Sequence, residues 1–165
     1  MKTSQLSLYM LFAIGMLAML QAAWFYPQLP ETVASHFNAS GVADGYMSKI
    51  GFLVFQVIFI PAMGLLFVGI GRLLNQIPAS LINVPNREYH LSEERKAFTF
   101  SVLTNQLRWF GVVTMLLLLI VCALANKANL SQPPVLPMPT YLLMSYFIFT
   151  LIWTAMLVLK FRKKH

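Results

Sequence analysis

Hydrophobic residues in this chain are gathered into four long runs instead of recurring at the period of a half-buried helix or strand. The first, residues 6–26, carries no charge. About 21 residues at a rise of ~1.5 Å each cover a hydrocarbon core of about 30 Å, so a membrane-crossing helix is predicted. The run exceeds the usual apolar core of a cleaved signal peptide, which favours a retained helix. The second run, 50–74, contains Pro61, whose missing backbone donor predicts a kink near mid-membrane. The third, 109–125, is the shortest and lies between Arg108 and Lys127. The fourth, 139–159, stops at the basic tail Lys160, Arg162, Lys163, Lys164. The predicted fold is an all-α membrane protein, a single domain over residues 1–165 with four transmembrane helices, a structured polar outer loop and a partly helical inner loop.

Between the first two runs lies the polar segment 27–49. Pro30, with Glu31 near the start, predicts a short helix through about His36. Asn38 to Gly41 and Asp44-Gly45 are turn signals, and Ser48 is placed to cap the second membrane helix. The segment between the second and third runs holds Asn83-Val84-Pro85-Asn86, read as an extended turn, and Ser92 followed by Glu93 and Glu94, read as a helix start. That helix is expected to run along or into the inner membrane interface before the third span. The connection 126–138 is proline-rich and predicted to be extended.

Composition changes the picture only by excluding a soluble globule. Of 165 residues, 58% are hydrophobic and 10% charged, against about 25% charged in a soluble domain. The net charge of +7 reflects basic residues that flank apolar runs, so lipid headgroups, not nucleic acid, are the expected counter-ions. With four spans both termini share one side. That side holds ten of the 12 basic residues, the other only Lys49 and Lys127. Basic residues are retained in the cytoplasm, so the termini are placed there and the chain in the inner (plasma) membrane as a multi-pass protein.

Chemistry is sparse. The polar residues at membrane depth include Gln21, Gln56 and Thr114, and none is ionisable, which argues against a proton-coupled carrier. Such side chains serve as hydrogen bonds between helices. Cys122, the single cysteine, sits among apolar residues and reads as packing. No catalytic residue, metal site or cofactor is expected, since one histidine and one carboxylate fall short of a zinc site. The candidate ligand-binding residues are His36, Asp44, Lys49 and Asn38 in the outer loop, with a purely structural role as their alternative reading. The candidates for contact with lipid or a partner in the inner loop are Asn83, Pro85, Asn86, Arg87, Tyr89 and Arg95.

The outer loop, with Leu29, Pro30, His36, Phe37, Gly41, Asp44, Gly45 and Lys49 at their intervals, resembles the bacterial membrane family catalogued as domain of unknown function sixteen-forty-eight. The inner stretch Asn83, Pro85, Asn86, Tyr89, Leu91 and Arg95 resembles a segment typical of that family, with His90 where tryptophan is usual. The same outer loop is similar to the start of larger SdpI-type proteins, associated with immunity to a secreted killing peptide and with sensing it. Their further C-terminal membrane segment has no counterpart here. The resemblance implies a non-enzymatic sensing or peptide-immunity module whose partner is a peptide or another membrane protein. The alternative is a structural accessory subunit of a larger membrane complex.

Overall fold

A computed structural model describes residues 2–74, 76–137 and 139–163, with the side chains of 2–4 left aside. Lys164, last of the basic tail, lies outside the described residues. The order is α1 (Lys2–Phe25), β1 (Thr32–Phe37), β2 (Ala43–Ser48), α2 (Lys49–Leu73), a 3-10 turn (Ala79–Leu81), α3 (Arg87–His90), α4 (Lys96–Ala128) and α5 (Pro139–Arg162). Four of these helices, α1, α2, α4 and α5, are long and apolar enough to cross a membrane. They fall on the four apolar runs, and the chain is a multi-pass, mostly helical membrane protein.

Helices α1, α2 and α4 pack on one another, with two apolar clusters at different depths. One joins Leu11, Ile14 and Ala18 of α1 to Ile60 of α2 and to Val112 and Met115 of α4. A small residue eases the contact there: a Cβ on Gly64 would lie 2.6 Å from Met115 Sδ, so a larger residue would make the Met115 side chain shift. The other gathers Ala22, Leu29, Val33, Phe52, Leu53, Ala125 and Leu136 beneath the two strands. Between the clusters Gln56 and Asn126 exchange two amide hydrogen bonds, of 3.2 and 3.0 Å, while almost wholly buried. Each amide satisfies the other where no water competes, the interhelical role expected for Gln56.

Two expectations are corrected. Residues 30–36 are not helical: Thr32–Phe37 is a strand, paired antiparallel with Ala43–Ser48. Asn129 is the reason. Its side chain accepts from Ala34 N at 2.6 Å and donates to Ala34 O at 2.9 Å, fixing the segment in an extended form from 95 positions away. The third apolar run, 109–125, lies within the 33-residue α4, one unbroken helix. At ~1.5 Å per residue it is about 50 Å long, so its first turns project beyond a bilayer core. Ser92 does not cap it; Ser92 Oγ donates to Tyr89 O at 3.2 Å, and Arg95 occupies the cap position. Ser48 does cap α2, accepting from Gly51 N at 3.2 Å.

Candidate functional site

The hairpin stands at the end of the bundle opposite the termini. Its register pairs Thr32 with Ser48, Val33 with Met47, Ala34 with Tyr46, His36 with Gly45 and Phe37 with Ala43. The pairing therefore slips by one residue on each strand, at Ser35 and at Asp44. The two slips bring His36 Nδ1 into direct contact with Asp44 Oδ1. Gly45 permits this, because a Cβ there would lie 2.9 Å from His36 Cβ. The pair is open to solvent, with 72% of the His36 side chain and 45% of the Asp44 side chain exposed.

Lys49 is not part of this pair. It is buried at the hairpin's base, where Nζ donates to Glu31 Oε1 at 2.8 Å and to Leu29 O at 3.4 Å and sits 4.9 Å over the Tyr26 ring. Asn38 shapes the turn: its Oδ1 accepts from Ser40 N at 3.0 Å and Val42 N at 3.1 Å. Gly41 turns the chain at φ +80, and a Cβ there would lie 2.1 Å from Leu136 O. Thus Leu29, Gly41, Gly45 and Lys49 all have structural work, and His36 with Asp44 is left presenting polar atoms outward. Among the described residues no three or more His, Cys, Asp or Glu side chains come together to hold a metal.

At the opposite end, the inner-loop candidates split in two. Asn86, at φ 50, donates through Nδ2 to Arg162 O at 2.8 Å and Phe161 O at 3.3 Å. Buried His90 reaches the same Phe161 carbonyl at 2.9 Å through Nε2, which must carry the proton since a carbonyl only accepts. Its ring stands edge-on to Phe161, with centroids 5.1 Å apart. Carbonyls that α5 leaves free at its C-terminus are satisfied by this segment. A tryptophan at position 90 would offer the same kind of ring N–H donor. Tyr89 and Arg95 pair with each other, the guanidinium 4.2 Å over the ring and also on the hydroxyl. Arg87 donates to Ala79 O at 3.3 Å. Pro85 lies in the turn leading to Asn86, and Asn83 lines a separate cavity against α4 and α5.

Helix α5 connects the two ends. Near its start Leu136 N donates to Gly41 O at 2.8 Å, Val135 bridges Val42, and Thr140 Oγ1 donates to Ala39 O at 2.9 Å. In between, Phe149 and Trp153 of α5 pack their rings around Phe110 of α4, and the Tyr146 hydroxyl lies 2.6 Å from Thr114 Oγ1. None of the most apolar 18-residue stretch of α5 is buried inside the protein. Asn126 and Thr140 were not singled out from sequence; a polar residue at the edge of an apolar run was the available signal, without any indication of its partner.

Fold and site together define a four-span helical membrane protein with a β-hairpin at one end and a helix-capping segment at the other. Residues 11–60, from α1 through the hairpin into α2, match the family described as Domain of unknown function (DUF1648). No curated protein and no solved structure matches the chain.

Proposed function

We propose that this protein is a non-enzymatic sensing or peptide-immunity-like module of the bacterial inner membrane. The hairpin faces outward and binds a ligand or partner through His36 and Asp44; the termini are cytoplasmic, and the segment around Asn86 reports binding to the inside. One observation carries the reading. Helix α5 is tied to the hairpin through Thr140 and to the inner segment through Asn86 and His90, yet its long apolar stretch is unburied. A helix held at its ends and lightly packed between them can shift as a rod, which is how small changes at one site reach another. The resemblance of the outer loop to SdpI-type proteins points the same way, and the exposed dyad presents the second carboxylate oxygen of Asp44 and the Nε2 edge of His36 to a partner.

The test is a deletion strain complemented with the wild-type chain or with His36→Gln or Asp44→Asn at equal membrane abundance, challenged with secreted membrane-active peptides. Lys49 is excluded, since its loss would open the hairpin base. A peptide-dependent phenotype restored by wild type and by neither variant supports the reading. Full restoration by both overturns it.

The bare face of α5 also favours a second reading, an accessory subunit whose fourth span packs on a larger membrane complex. Co-purification with that complex in mild detergent, lost on placing Arg at Leu151, is its expected mark. Recovery of the wild-type protein alone counts against it.

A further inference from the structure

Directly beneath the dyad lies a cavity of about 460 Å³, walled by α2, α4, α5 and the hairpin. Phe37, Phe59, Val121, Leu142 and Leu143 are among its lining residues, and so is His36. His36 therefore links the polar dyad to the apolar chamber. The volume is within the range of small-molecule sites, roughly 300–1,000 Å³, and the division of polar from apolar lining is that of a pocket for a molecule with two unlike ends. Gln56 also faces the chamber, but its amide is already engaged with Asn126, so the wall asks for no polar partner at depth. Asp44, in contact with the lining residue His36, adds a carboxylate, whereas the cation Lys49 is turned to Glu31 at the hairpin's base.

We infer that the ligand of the hairpin is a single-chain amphiphile with a cationic or zwitterionic head. Its apolar chain fills the chamber, and its head meets Asp44 and His36. The inference rests on the proposed sensing role and names the class of molecule sensed. It also gives binding a direct route to α5, because Leu142 and Leu143 form one wall of the chamber.

The test uses the full-length protein in nanodiscs of diacyl phosphatidylcholine, with a lysophosphatidylcholine bearing a diazirine on its acyl chain as probe. Photolabelling is expected within residues 117–125 and at 142–143. It should fall at least tenfold in Val121→Trp, which fills the chamber, and several-fold in Asp44→Asn. The same probe with an anionic phosphatidylglycerol head should label several-fold less. Leu143→Trp serves as a second filling variant, and Leu65→Trp, on an exposed face elsewhere, as a control that leaves labelling unchanged; all are compared as monodisperse protein. Label spread evenly over the exposed faces, or untouched by both filling variants, would mean ordinary boundary lipid and would overturn the inference. Chamber labelling that leaves amide exchange at residues 86–91 unchanged would uphold the site and instead remove the sensing role.

Discussion

Asn86 donates a 2.8 Å hydrogen bond to the carbonyl of Arg162, 76 positions away, and so closes the C-terminus of the last helix from a different part of the chain. Replacing Asn86 with alanine is expected to cost about 2–3 kcal/mol, combining lost hydrogen bonds with a left-handed backbone that alanine resists. Asn86→Gly, which tolerates φ 50, should cost about 1 kcal/mol less. Hydrogen exchange of the last turn of α5 reads both; equal effects would remove the backbone argument.

Asn129 sets the form of β1, since its amide occupies both polar atoms of Ala34 and also donates to Ala125 O at 3.0 Å. Asn129→Ala leaves those buried backbone groups unpaired, at about 1–3 kcal/mol each. Proteolysis within residues 30–48 should rise at least tenfold in this variant. An equally protected hairpin would show that its own strand pairing suffices.

Gln56 and Asn126 form a closed pair, so each single leucine substitution strands the other amide. Gln56→Leu and Asn126→Leu are each expected to destabilise by about 1–3 kcal/mol, and the double variant by less than their sum, with a coupling of about 1 kcal/mol. Unfolding in mixed micelles measures the cycle. Additive losses would mean that the amides act independently.

Gly41 lies where the hairpin tip meets the chain before α5. Gly41→Ala, with a Cβ 2.1 Å from Leu136 O and a strained φ, should break the Val42–Val135 bridge and expose the amide of Leu136 to exchange. Unchanged protection of Leu136 would contradict this geometry.

The spans were legible because apolar length is a local property: 21 uncharged residues commit the first run to the membrane whatever surrounds it. The Ser48 cap was legible too, as it depends on residues a few positions apart. The strand at Thr32–Phe37 was not, because its extended form is imposed from Asn129, and local turn chemistry at Pro30 favoured a helix. Lys49 was grouped with His36 by charge, but a buried ammonium is held by the nearest carboxylate and carbonyl, here Glu31 and Leu29. Asn86 and His90 carried no sign of their partner, since helix C-terminal carbonyls accept from any donor that tertiary packing delivers.

The central claim is that α5 transmits change between the hairpin and the segment of Asn86. Amide exchange at residues 86–91, measured in nanodiscs for the wild type and for Thr140→Val, which removes the tie from α5 to Ala39 without touching the end at Asn86, tests it most directly. The account predicts a several-fold change in exchange at His90 and Leu91. Identical exchange there, with α5 itself still helical, would contradict it.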